Sequence, residues 1–182
     1  MTGALDGVIV LALEQAVAIP YCTAKLADAG ARVIKIERAE GDFARHYDKL
    51  AKDQCSYFVW LNRGKQSLVV DIKNPQDVAL IKRIAARADV FLQNLAPGAA
   101  ARAGCGSADL QQINPGLVTV DLTGYGDEGP YADMKAYDLL VQAESGLADI
   151  SGSSDAPGRC GVSICDLTAG VNAYAAVMEA LI

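Results

Sequence analysis

The chain has 182 residues, 52% hydrophobic and 21% charged, which suffices for one domain with a proper core and excludes a disordered role. Its formal net charge of −6 argues against a nucleic-acid partner held by bulk electrostatics. The run Val8–Leu13 is bracketed by Asp6 and Glu14, and no apolar run approaches the roughly 18 residues of a membrane span, so the expectation is a cytoplasmic protein with no membrane partner.

Five short runs predict strands: "VIVLAL" (8–13), "ARVIKIE" (31–37), "SLVVDI" (67–72), "DVFLQ" (89–93) and "LVTVDL" (117–122). They are nearly continuous in apolar character, as befits strands covered on both faces. Between the first two, Pro20–Ala29 reads as a helix stopped by Gly30. The polar stretch Ala39–Lys65 reads as partly loop. In "NPQDVALIKRIAARA", Asn74 predicts an N-cap, Pro75 the first helical position, and Val78, Ile81, Ile84 and Ala85 a buried face. Two further helices are expected near Tyr137–Leu147 and over Leu167–Ile182. This order predicts an α/β fold, a Rossmann-like parallel sheet flanked by helices with right-handed crossovers. The final helical pattern carries no stop signal, which points to the front part of a longer chain.

Cys22, Cys55, Cys105, Cys160 and Cys165 are scattered and form no C-x-x-C pair. With His46 as the only histidine, no metal site is expected, and the cysteines read as small buried hydrophobes of a reducing compartment. The strand–helix–strand opening ending in Glu37 has the layout of a dinucleotide-binding unit. Its first turn, "ALEQAVAIPYC", nevertheless lacks the G-x-G-x-x-G that lets backbone approach a pyrophosphate, so nicotinamide chemistry is disfavoured.

Taken together, "LEQAVAIPYCTAKLADAGARVIKIERAEGDFAR", "NRGKQSLVVDIKNP", "DVFLQNLAPGAAARAG", "INPGLVTVDLTGYGDEGPYADMKAYDLLVQAESGL" and "GVSICDLTAG" resemble the N-terminal portion of class III CoA-transferases. Formyl-CoA transferase, carnitine CoA-transferase and α-methylacyl-CoA racemase belong to that family. The resemblance implies that residues 1–182 form one Rossmann-like CoA-binding domain, the front of a large domain, with a second small domain absent. It also implies interlocked homodimers, a glycine-rich covering loop from the second domain, and no permanently bound cofactor. Coenzyme A or acyl-CoA is the substrate, with a small carboxylic acid as the other partner.

Residue by residue, the resemblance puts Asp166 on the catalytic aspartate and Gln15 at the active-site entrance. CoA contacts fall on Arg38, Ile72, Lys73, Asn94, Leu95, Arg102 and Lys135, and Tyr137 lies beside the transferred acyl group. Arginine's planar fork suits phosphate oxygens, and cations at strand ends sit where open α/β sheets bind ligands. The implied chemistry is covalent, with Asp166 as nucleophile. On its residue type alone, Asp166 before "LTAG" reads first as a helix N-cap, a role compatible with catalysis because that position favours the ionised form.

Three alternatives stand beside transfer between acids. A racemase-like enzyme needs a histidine–aspartate acid–base pair, and Ala136 occupies the place of that histidine. Cys165 has no histidine nearby to activate it as a nucleophile. A non-catalytic CoA-binding fragment is the third. Tyr125, Tyr131 and Tyr137 read either as a substrate-lining set or as packing. The wording around "KAYDLLVQAESGL" leans toward small dicarboxylic acids such as citramalate, malate or mesaconate.

Overall fold

The apolar runs form strands because branched and aromatic side chains pack on both faces of a pleated sheet. In the computed structural model, which describes residues 3–182, the elements in chain order are β1 (Ile9–Leu13), α1 (Ala18–Asp28) and β2 (Arg32–Glu37). A 3-10 turn (Phe43–His46), α2 (Ser56–Asn62), β3 (Gln66–Val69), α3 (Pro75–Ala85) and β4 (Val90–Gln93) follow. Then come α4 (Ala99–Arg102), α5 (Ser107–Gln111), β5 (Val118–Asp121), α6 (Asp138–Glu144), α7 (Leu147–Ile150) and α8 (Ile164–Leu181). The sheet is parallel, in the order β3-β2-β1-β4-β5.

Alternation along each strand sends neighbours to opposite cores. Leu11, Leu13, Ile36 and Phe91 face Val78 and Ile81 of α3. Val10, Val33, Val90 and Leu92 face Ile19, Cys22 and Leu26 of α1, with Ala173 and Val177 of α8 behind them. Each large buried aliphatic or aromatic side chain contributes roughly 1.5–3 kcal/mol. Helices α1 and α8 pack closely because Gly170 has no side chain: a Cβ there would lie 2.5 Å from the Ala18 carbonyl oxygen.

Boundaries shift from the sequence expectation for local reasons. Helix α1 begins at Ala18, so Pro20 sits inside the first turn, where its missing N–H leaves no helical bond unmade. Strand β3 ends at Val69, three residues short of the predicted end, and Ile72 and Lys73 fall in the turn before α3. That turn is tied by Asp71, which accepts from the Lys73 N–H at 2.9 Å, and Asn74 caps α3 as expected, accepting from the Gln76 N–H. The expected helix near Tyr137–Leu147 divides at Gly146, whose φ of +79° stops α6 before α7. The short helices α2, α4, α5 and α7 have too little periodicity to be read from sequence.

The chain runs outward from β1 through β2 to β3, then returns to β4 and β5 on the other side of β1. A crevice therefore opens above the carboxyl ends of β1 and β4, the place where such sheets hold ligands.

Candidate active site

The β1–α1 turn stands at that crevice. Asn94, which follows β4, clamps the backbone of Gln15: its Oδ1 accepts the Gln15 N–H at 2.9 Å and its Nδ2 donates to the Gln15 carbonyl at 2.8 Å. Its amide thus serves the protein, not a free contact surface. The next residue, Ala16, adopts φ +62° in a turn where a dinucleotide-binding fold would use glycine.

Two cavities meet at Gln15 and Leu95, which line both. The first, about 410 Å³, is bordered by Asp166, Asn94, Lys135 and Tyr137. The second, about 600 Å³, is bordered by Arg38, Ile72 and Lys73, with Glu37 and Asp42 on its protein side. Nine of the ten site residues expected from sequence thus border one connected crevice. Arg102 lines neither cavity; it ends α4, exposed, with its guanidinium donating to the Pro97 carbonyl at 3.1 Å.

Asp166 is not the cap of its helix. Helix α8 starts at Ile164, three residues earlier than the sequence suggests, with Ser163 at the N-cap. The capping oxygen comes from α6: Asp138 Oδ1 accepts the N–H of Cys165 at 2.8 Å and of Asp166 at 3.3 Å. Among the described residues, no hydrogen bond engages the Asp166 carboxylate itself. The expected depression of its pKa is also overturned. Burial, and then the Asp138 charge, push the Asp166 carboxyl up to about 6, outweighing the helix terminus. At neutral pH it remains mostly ionised, and it is a better base than an exposed carboxylate.

The loop bearing Lys135 and Tyr137 is seated on the turn after β5. Gly124 meets Ala136 so closely that a Cβ on Gly124 would fall 1.9 Å from the Ala136 Cβ. Ala136 is therefore filled space, and His46, exposed on the 3-10 turn, lines neither cavity. Tyr137 is 63% exposed at the rim. Tyr125 and Tyr131 meet edge to face at 5.8 Å, away from both cavity linings. Cys165 lies at the wall of the first cavity, its thiol pushed up by burial and by the charges of Asp138 and Asp166, the reverse of activation.

Sequence reading missed two groups. Phe43 and Tyr47, from the segment expected to be partly loop, line the first cavity together with Asp166. The Tyr47 phenol is pushed up to about 12 by burial and by the charges of Asp42 and Asp166. The second group is buried and charged: Glu14, Lys35, Asp42 and Lys65 form ion pairs under the β1–α1 turn. Its signal was Lys35, a lysine inside the apolar run "VIKIE", which needs a buried partner. Glu37, at the same strand end, is also buried. Burial works against its charge, but hydrogen bonds from Arg45, Ser67 and the Asp42 N–H hold its carboxyl below the usual range. With its oxygens occupied, Glu37 is not free for the ribose of a dinucleotide.

A family model for CoA-transferase family III matches residues 5–182. The chain is 40% identical over 181 residues to a succinyl-CoA:glutarate CoA-transferase of Mus musculus, an alignment covering 98% of this chain and 42% of that protein. It is 38% identical over 182 residues to an acetyl-CoA:oxalate CoA-transferase of Acetobacter aceti, covering 98% of this chain and 47% of that one. Among solved structures, a CAIB/BAIF family protein from Brucella suis matches with a TM-score of 0.93 at 34% identity, over 100% of this chain and 50% of the other. The chain spans about half the length of the curated relatives it matches.

Proposed function

The chain belongs to CoA-transferase family III, and from that membership we propose that it moves CoA between small carboxylic acids through a covalent intermediate on Asp166. The observation that carries this reading is the freedom of the Asp166 carboxylate. It borders the first cavity with no hydrogen-bond partner among the described residues, because Asp138 caps the helix in its place. The arms of the crevice suit the two halves of an acyl-CoA. Arg38 and Lys73 offer cations to the phosphates in the second cavity, with Arg102 as an outer cation, while the acyl group enters the first.

The steps then follow. The Asp166 carboxylate attacks the donor thioester carbonyl, giving a mixed anhydride and CoA thiolate. The thiolate attacks the aspartyl carbonyl, releasing the donor acid as carboxylate and leaving an aspartyl-CoA thioester. An acceptor carboxylate attacks that thioester, forming a second anhydride and freeing the thiolate again. Attack of the thiolate on the acceptor carbonyl gives the new acyl-CoA and restores Asp166. Gln15 orients the acyl end, Ile72 and Leu95 shape the CoA channel, Asn94 holds the Gln15 backbone between the two cavities, and Lys135, expected as a CoA contact, borders the first cavity beside Tyr137 and the acyl group. No permanent cofactor enters these steps.

Small dicarboxylic acids are the favoured substrates, supported by relatives named for glutarate and oxalate and by the modest first cavity. Citramalate, malate and mesaconate belong to the same class. A racemase-like role is less favoured because no imidazole borders the cavity: Ala136 packs on Gly124, and His46, exposed on its 3-10 turn, is not among the lining residues. We place in the same proposal a homodimeric assembly, a role for residues 1–182 as the front of a larger CoA-binding domain, and a cytoplasmic setting, the last supported by five free cysteines. No helix among the described residues is long and apolar enough to cross a membrane. The test is transfer itself: the protein incubated with succinyl-CoA and free glutarate, followed by chromatography and mass detection of glutaryl-CoA. Product formation supports transfer; CoA binding without product supports the binding-module alternative.

A further inference from the structure

The turn shared by both cavities is held in a conformation its sequence resists. Ala16 has φ +62°, a left-handed backbone that alanine rarely adopts. Two side chains oppose its relaxation. Asn94 clamps Gln15 from the β4 side. On the other side Asp42, buried in the loop after β2, accepts the Ala16 N–H on Oδ1 at 3.1 Å and the Ala44 N–H on the same oxygen at 2.9 Å.

Asp42 is itself fixed from below. Its Oδ2 accepts from Lys35 Nζ at 2.9 Å, and Lys35 lies 3.4 Å from Glu14 Oε1. Glu14 pairs with Lys65 at 2.7 Å and accepts the Thr23 hydroxyl at 2.5 Å; Lys65 also donates to the Pro20 carbonyl at 2.9 Å. Two carboxylates and two ammonium groups thus balance beneath one turn. Buried ion clusters of this kind are poor sources of stability, since well-packed apolar residues do as well.

Resting on the transferase reading above, we propose that Asp42 is a positioning residue: anchored by Lys35, it holds Ala16 in its left-handed conformation and so sets Gln15 between the acyl and CoA cavities. It touches no reacting atom. A glycine at position 16 would adopt that conformation without help, whereas the alanine present needs the carboxylate.

The experiment compares wild type, Asp42→Asn, Ala16→Gly and Asp42→Asn/Ala16→Gly. Two readouts are taken: amide hydrogen exchange at Gln15 and Ala16, and the rate of CoA adduct formation on Asp166 at saturating succinyl-CoA. Asp42→Asn keeps an oxygen able to accept but sets an amide NH2 against the Lys35 ammonium, so the anchor is lost; it is expected to lower protection at Ala16 by about tenfold or more while β1 amides keep theirs. It is expected to slow adduct formation by about ten- to a hundredfold with a smaller effect on CoA affinity. Adding Ala16→Gly restores the rate to within about threefold of Ala16→Gly alone, a rescue that lost stability does not give.

Unchanged protection at Ala16, or a slow double variant no better than Asp42→Asn, overturns the inference. Should Asp42→Asn fail to fold, Lys35→Met/Asp42→Asn removes the ion pair as a unit and carries the same comparison. If the wild-type protein forms no adduct, the covalent reading fails separately, and exchange at Ala16 still decides whether Asp42 holds the turn.

Discussion

Asp138 Oδ1 accepts the backbone N–H of Asp166 at 3.3 Å and that of the preceding Cys165 at 2.8 Å, so the carboxylate that caps α8 belongs to α6. The arrangement does two things at once. It fixes the first turn of α8 without using the Asp166 side chain, and it brings a second negative charge near Asp166. The proton affinity of the proposed nucleophile therefore depends on a residue 28 positions away in sequence.

Asp138→Asn separates these roles, since an amide oxygen still accepts the two N–H groups but carries no charge. Adduct formation in the wild-type protein should rise with pH through an apparent pKa of about 6, because only the carboxylate form attacks. In Asp138→Asn that midpoint moves to lower pH. A pH–rate profile of single-turnover adduct formation checks this, and an unmoved midpoint would remove Asp138 as a cause.

Asp166 also makes a prediction about stability whose sign runs against most aspartates. Its pKa is raised from 3.8 to about 6 on folding, so the folded state holds a proton that the unfolded state has lost between those values. Ionisation thus weakens the fold as pH rises through that window, and the penalty is fully present above about 6. Asp166→Asn should be more stable than wild type by about 1–2 kcal/mol at about pH 7.5, a figure discounted for partial exposure, and should lose that advantage below about pH 4. Urea unfolding at the two pH values measures it. An equal difference at both would contradict the assignment.

What the sequence alone reveals of this protein depends on whether the signal is local. The five strands, the cap Asn74 and the helix after Pro75 are local patterns of apolar period and turn chemistry, and all five strands appear within a few residues. The crevice residues Arg38, Lys73 and Asp166 were reachable because they follow recognisable elements and match a family pattern. The capping by Asp138, the Asn94 clamp and the raised pKa of Asp166 were not, because each joins residues far apart in sequence. Lys35 is the instructive case: its place in an apolar strand announced a buried partner, yet nothing nearby said that the partners were Glu14 and Asp42.

Helix α8 positions Asp166 only if it can lie against α1. Gly170→Val forces side-chain atoms into the Ala18 carbonyl and the Tyr21 ring. We expect a loss of roughly 1–3 kcal/mol in thermal or urea unfolding and slower adduct formation in the protein that remains folded. Wild-type stability in this variant would mean that the close approach of the two helices is not needed.

Arg38→Ala and Lys73→Ala are each expected to weaken CoA binding by roughly tenfold at low ionic strength, with the deficit shrinking as salt rises. Calorimetric titration with CoA at two salt concentrations measures this. A deficit that ignores salt would mean that shape, not phosphate charge, is lost.

The most direct test of the central claim is mass spectrometry of the protein after incubation with succinyl-CoA, intact and as peptides, beside Asp166→Asn. A CoA-sized adduct on the peptide containing Asp166, absent from the variant, is the predicted result. No adduct on that peptide while CoA still binds, or an adduct that persists in Asp166→Asn, would contradict Asp166 as the nucleophile.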